Sequence, residues 1–492
     1  MKLRFRTKLS YGIGGVADNA LYTLEATYLL FFLTQIAGIK PAVAGAIMAF
    51  GSIFESICGP IVGYTSDNIK TKYGKRKPFM IIASIPTAVV STLLFSYLDA
   101  GPVSKILYYT VLVLLYWGLF AIFFVPYIAW GSDLTEDYNE RTSLRSFAYI
   151  GNQTGMAIGM VLPAFVTASL QDSGMSGAAA WRIIGISTGA ISAFVLLFSS
   201  LTIHETDNPG CREKNDFKAL FTKAKLIAMF REYINIFKLR PAKYLILSSF
   251  ICLIGSTFFK SSLIYRLSYD LGLSGGISSI AFLAITIAGI VFSPLLAKLS
   301  CFTDKTFVFK IGLATSGALM FAFHFVNVDS FRPACVLCIC YALGNACYWQ
   351  LMPSMIYDVC EAEELVSGAK HSGSVISMQA LSESISCAVG IQLLGIVLES
   401  SGFQEGQAVQ PAGALLSIDV CTTIIPGLIF IAVAFLMKLH PINKKNYARI
   451  IDALERRSAG DEINMSAFAD IYGKDMTPTR SEERRVGKEC RS

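Results

Sequence analysis

The chain has 492 residues, 53% of them hydrophobic and only 16% charged, with a formal net charge of +7. A soluble protein of this length would fold as two or three domains coated by charged surface. There are too few charges here for such a coat, and the mean hydropathy of +0.53 excludes that class in favour of a polytopic α-helical membrane protein.

Apolar runs of about 20 residues, enough to cross a bilayer core as a helix, predict twelve spans in chain order. They cover 16–37, 42–64, 79–98, 104–129, 146–170, 182–202, 243–267, 274–297, 307–327, 332–356, 373–398 and 413–437. The first apolar run reaches full spanning length without a clean cleavage site, so no cleaved leader is expected. Six spans on either side of a hydrophilic segment is the layout of a transporter built from two related halves. The expected units are an N-terminal six-helix bundle over 1–203, a cytoplasmic central loop over 204–242, a C-terminal six-helix bundle over 243–437, and a cytoplasmic tail over 438–492. Within the loop, "DFKALFTKAKLIAMFREYINIFKL" mixes apolar and basic residues at helical spacing and is expected to lie along the inner membrane surface, against lipid. The tail is polar and expected to be disordered. Its end, "RSEERRVGKECRS", has no apolar period and reads as a disordered end or an assembly scar.

Basic residues give the orientation. Lys70, Lys72, Lys75, Arg76, Lys77, Arg141, Arg145, Lys298, Lys305 and Lys310 fall in the segments on one side, and few fall on the other. That asymmetry predicts both termini on the cytoplasmic side of the cell membrane. The positive balance therefore reflects topology and gives no reason to expect nucleic-acid binding.

Catalytic and metal motifs are absent from the sequence. The twelve cysteines are scattered, and "ACVLCIC" lacks the second cluster that a zinc site needs. The four histidines, His204, His324, His371 and His440, never form H-E-x-x-H, and there is no G-x4-G-K-[ST] loop. No enzyme and no cofactor is expected, although an intramembrane enzyme or a sensor is the remote alternative from another class.

After the second span comes "GYTSDNIKTKYGKRKPF", where G-x3-D is followed by G-K-R-K. This resembles the loop signature of the major facilitator superfamily. "KLSYGIGGVADN" with "YLLFFLTQIAG", "VPYIAWGSDLTEDYNERTSLRSF" and "YDVCEAEELVSGAKHSG" narrow the resemblance to the glycoside-pentoside-hexuronide:cation symporter family, over most of residues 8–400. The resemblance implies an all-α major facilitator fold, with twelve transmembrane helices in two six-helix bundles. It also implies import of a small-molecule sugar (a glycoside, oligosaccharide, pentoside or hexuronide) coupled to a monovalent cation. A facilitator that has lost coupling is the alternative within transport. In "DLTEDYNER", Asp133, Asp137, Glu140 and Arg141, together with Asp67, are expected to form a cytoplasmic gate, because rocking bundles need contacts that differ between states.

The acids decide the coupling. A charge inside a bilayer costs at least about 2.5–3.5 kcal/mol, so an acid in a span is kept for function by default. Glu55 lies in the second span, and Asp18, Tyr22 and Glu25 share one face of the first at i, i+4 and i+7. Family members with Na⁺ sites carry two Asp residues, four apart and followed by Pro, on the second span. Here the two positions are Glu55 and Gly59, followed by Pro60. Hard cations want several oxygen ligands, so one carboxyl suits a proton better than Na⁺. The cation-coupling residues are expected to be Glu55, Asp18 and Glu25.

For the sugar, Asn19 offers both a donor and an acceptor. Trp349 offers a face for a sugar ring, and Gln379 an amide for hydroxyls. Tyr149 stands at the family's pocket Arg, while Tyr22 and Asn152 are further polar candidates. The family's acidic position late in span four falls at Phe124 or Val125, and its Lys of span eleven at Ser384 beside Glu383, which separates this pocket from a melibiose site. Lys260 in "STFFKSSLIY" has three open roles: neutralising Glu25 or Glu55, binding a substrate carboxylate such as a uronate, or snorkelling to an interface. Gly151, Gly155 and Gly159 form a close-packing stripe.

Overall fold

The computed structural model describes residues 4–68, 76–134, 138–202, 233–273, 275–326, 330–368, 372–405, 407, 409–459, 461 and 463–473. Each predicted span is a helix. The first half holds α1 Phe5–Phe31, α2 Pro41–Asn68, α3 Lys77–Leu94, α4 Pro102–Asp133, α5 Tyr138–Asp172 and α6 Gly177–Thr202. The second holds α7 Arg240–Tyr265, α8 Gly275–Phe302, α9 Lys305–Phe323, α10 Phe331–Ser367, α11 Ser372–Ser400 and α12, which is broken at Thr423 into Ala412–Thr422 and Ile424–Leu436. Proline in the first turn starts α3, α4 and α7, where its missing N–H costs nothing. Eleven of these helices are apolar enough to cross a membrane. The remaining one, α1, is long enough but carries Asp18, Asn19 and Glu25. Its polarity is where the functional argument begins.

The packing repeats between the halves. α1 lies on α5, α2 on α4 and α3 on α6. Six helices later, α7 lies on α11, α8 on α10 and α9 on α12. The interface between the halves obeys the same symmetry, since α2 meets α11, α8 meets α5, and α1 meets α7. The α1–α5 seam uses the glycine stripe. A Cβ on Gly155 would stand 2.3 Å from the Val16 carbonyl oxygen, and one on Gly159 would stand 2.5 Å from that of Ala20. Only glycine permits this approach.

Both first helices of the halves end alike. α1 runs into a π-helical turn at Phe32–Ile36 and then Gly38 with φ 69°. α7 runs into one at Arg266–Asp270 and then Gly272 with φ 57°. A left-handed glycine closes each end without a Cβ penalty. The two turns clasp each other: Thr34 Oγ1 meets the Tyr265 hydroxyl at 2.8 Å, Tyr269 donates to Gln35, and Phe31 packs edge-on against Tyr265. On the other side, buried Arg266 pairs with Asp419 of α12, which also holds His324 Nδ1 at 2.5 Å. At the same end, the Ala42 amide donates to Glu399 at 3.1 Å, and Gln392 donates to the Ala42 carbonyl.

The tail departs from its expected disorder over Lys444–Tyr472. Asn443 caps a helix, α13 Lys444–Ser458, by accepting from the Asn446 N–H, and buries Ile450 and Ala453. The chain then turns through Met465–Phe468 and Ala469–Tyr472, burying Ile471. The Tyr472 hydroxyl donates to the Ala362 carbonyl, and Arg457 donates to that of Leu365 at 3.0 Å. These bonds occupy carbonyls at the end of α10, which therefore extends well past 356 to its left-handed stop at Gly368. Residues 474–492 lie outside the described residues, as does most of the central loop.

His440 anchors this tail in a buried position against the Pro241 backbone, and desolvation lowers its pKa to about 4. Its unfolded pKa is about 6.5. Between these values the undocked tail binds more protons than the docked one, so docking is strongest above about pH 6.5 and weakens as pH falls toward 4. Protection factors of α13 amides, taken relative to intrinsic exchange at each pH, are expected to fall as pH drops through that window, and His440→Phe should remove the fall.

Candidate substrate and cation site

The three acids expected to act together do converge. Asp18 (7% exposed) and Glu25 (2% exposed) come from α1, and half-buried Glu55 comes from α2. Tyr22 sits between them, within electrostatic range of both Glu55 and Glu25, and Glu55 is within range of Asp18. The helix geometry accounts for this, since i, i+4 and i+7 on α1 present one face. Asn19 donates to Asp18 Oδ2 at 3.1 Å. Glu25 lies beside Trp117 of α4, whose buried indole N–H faces its carboxyl. None of the three acids has a Lys or Arg within salt-bridge distance among the described residues. The ion pair that sequence left open for Glu55 is therefore not formed.

The donor set around Glu55 is thin. Ser52 donates back to the Met48 carbonyl and Ser56 to that of Ser52. Gly59, one turn on, leaves open space, and a Cβ there would first meet Val125 Cγ2 at 3.9 Å. Among the described residues no three His, Cys, Asp or Glu side chains come close enough together to hold a metal ion. An apolar groove of about 390 Å³ between α2 and α4, lined by Phe54, Cys58, Leu115 and Ile122, excludes Glu55 and has almost no polar wall.

Opposite the acids, α7, α10 and α11 build a polar network. Tyr348 donates to Glu383 Oε1 at 2.8 Å, Gln379 Nε2 donates to the same oxygen at 3.1 Å, and Ser249 bonds both Gln379 and the Tyr348 hydroxyl. Gln379 Oε1 is buried without a partner. One turn beyond Glu383, Cys387 Sγ lies 3.9 Å from the Tyr22 hydroxyl and beside Lys260 and Thr257. This contact joins the acid face of the first half to the network of the second. Sequence reading placed Gln379 here but missed Ser249, Tyr348, Glu383 and Cys387 as a unit. The available signal was the i, i+4, i+8 spacing of Gln379, Glu383 and Cys387.

The other candidates fall as follows. Trp349 is 48% exposed and edge-on to Tyr348, whereas Ala342 and Cys338, seven and eleven residues earlier on the same face of α10, are buried. Ile356 and Cys360, seven and eleven residues later, are buried as well, so the exposure on this face is local to Trp349. Asn152 lies in the α1–α5 seam, where assigning its amide nitrogen toward α1 lets it donate to the carbonyls of Ala148 and Gly15 at 3.2 and 3.1 Å. That role ties helices together and leaves little of the amide for a ligand. The side chains of Tyr149, Asp67, Asp133, Glu140 and Arg141, and all of Asp137, lie outside the described residues. Near that gate, buried Arg76 donates to Ser66 Oγ at 2.7 Å, tying the start of α3 to the end of α2.

With this geometry in view, similarity identifies the scaffold. A glucuronide carrier protein homolog of Escherichia coli K12 is 22% identical, covering 96% of this chain and 99% of its own. The isoprimeverose transporter of Lactiplantibacillus pentosus is 23% identical, covering 92% and 91%. Among solved structures, a D-xylose-proton symporter superposes with a TM-score of 0.62 at 14% identity, covering 88% of this chain and 97% of that one. The family described as MFS/sugar transport protein matches residues 10–444. Two six-helix halves packed by one repeated pattern, with acids and amides facing each other between them, are those of a membrane transporter, and the chain belongs to the MFS/sugar transport protein family.

Proposed function

We propose that the chain imports a sugar of the glycoside class across the cell membrane by symport with a cation, and that the cation is a proton. The observation that carries the reading is the cluster of Asp18, Glu25 and Glu55 around Tyr22, three carboxyls with no basic partner. Clustered carboxyls in a span without a basic partner take their countercharge from a cation that enters the site. The sparse oxygen donors around Glu55 count against Na⁺, which wants a fuller shell. Relatives named for a glucuronide and for isoprimeverose support a sugar substrate.

Both termini on the cytoplasmic side, as the basic residues suggest, would make the clasped end of α1 and α7 the outer one. The clasp would then close the outer end of the path between the halves. The test is uptake by proteoliposomes under an imposed pH gradient or an imposed Na⁺ gradient. Accumulation is expected only with the former. Equilibration without accumulation under either gradient would identify a facilitator.

Gly59 makes a second test. There is room for a side chain one turn from Glu55, so Gly59→Asp should restore a carboxylate pair. Uptake by this variant is expected to rise in Na⁺ over Na⁺-free buffer, where the unaltered chain shows no Na⁺ response.

A further inference from the structure

The two faces of the central site carry opposite and uncompensated charge. On the first half stand three carboxyls without a cation. On the second stands Lys260 of α7, and among the described residues its ammonium has no carboxylate within 4 Å and no hydrogen bond; Cys387 is the titratable group beside it. Glu383, one turn from Cys387 on α11, is already held by Tyr348 and Gln379 and does not pair with Lys260. An ammonium has three donors and no acceptor, and a lysine left unpaired in a membrane span is costly. Snorkelling does not relieve it, because Lys260 lies on the inward side of α7: its neighbour Ser261 donates to the Ala26 carbonyl of α1, and Thr257 packs against Cys387 of α11.

A cation and an anion entering together would satisfy both faces at once. We propose that Lys260 receives a fixed anionic group on the transported sugar, a carboxylate or a sulfonate, so that the chain selects acidic over neutral glycosides. The inference rests on the sugar-transport reading above and narrows it. Tyr22 and the free Gln379 Oε1 remain for hydroxyls. Specificity follows from cost: a neutral sugar leaves the ammonium unpaired, whereas an acidic one forms a charge-assisted hydrogen bond.

The experiment is exchange in proteoliposomes with three probes that share one ring: p-nitrophenyl-β-D-glucuronide, the corresponding 6-sulfonate, and p-nitrophenyl-β-D-glucoside. At least one anionic probe is expected to outcompete the glucoside by about ten- to a hundredfold, and which one does so tells carboxylate from sulfonate. Lys260→Met is expected to collapse that ratio toward one, and Lys260→Arg to retain most of it, which separates lost charge from lost folding. Exchange of the glucoside alone, or a ratio unchanged in Lys260→Met, overturns the role of Lys260 while leaving sugar transport standing. Failure of all three probes, and of a wider neutral panel, to exchange would overturn both.

Discussion

Glu55→Gln is expected to abolish uphill sugar accumulation while sparing exchange. A one-unit pH gradient can drive about tenfold accumulation per proton. In the variant the inside-to-outside ratio should stay near one at any gradient, while counterflow of preloaded sugar continues. Glutamine keeps the length and hydrogen-bonding capacity of the side chain but cannot take up or release a proton. Glu55 is the acid to remove because it is the half-buried member, whereas Asp18 and Glu25 of α1 are buried. Its neighbour Tyr22 touches Cys387 on the opposite half, so a change of charge at Glu55 is felt where the halves meet. Accumulation at the level of the unaltered chain would remove Glu55 from coupling.

Gly155→Val is expected to destabilise the membrane core severely. Even an alanine Cβ would stand 2.3 Å from the Val16 carbonyl oxygen and 3.0 Å from the Ala20 amide nitrogen. Those are backbone atoms and cannot swing aside. Overpacking of this kind costs about 1–3 kcal/mol for small insertions, and valine adds branching against α1. Any relief must push α1 away from α5, and α1 carries Asp18, Tyr22 and Glu25. Thermal melting and gel filtration in detergent should show a destabilised or aggregated protein. Gly59→Ala, whose nearest neighbour is 3.9 Å away, is the control and should behave as the parent.

Much of this was legible before any coordinates. Span length exposed all twelve helices, because bilayer thickness is an external ruler. The i, i+4, i+7 spacing of Asp18, Tyr22 and Glu25 already placed them on one face, and an acid in an apolar run marked Glu55. Other features were hidden for physical reasons. A π-helical turn has no composition of its own, so Phe32–Ile36 and Arg266–Asp270 read as ordinary helix ends. The pairing of Tyr22 with Cys387 spans 365 residues and no local pattern encodes it. The docked tail was readable in part: Asn443 before "KKNYARIIDALERRS" is a capping signal, and Ile450 and Ala453 are spaced for one buried face. Its polar composition outweighed those cues.

The matched π-helical ends of α1 and α7 have a mechanical consequence. Each holds one backbone residue more per turn than the helix that leads into it, a stored slack that a switch to ordinary α-winding would hand to the following glycine. Such a slip would swing the tip of each helix by about 100°, parting Thr34 from Tyr265 and Gln35 from Tyr269 together. The bodies of both helices, with Glu25 and Lys260 deeper in the membrane, need not shift. The clasped mouth thus unlatches by local rewinding of two short segments, with the larger rocking of the halves following.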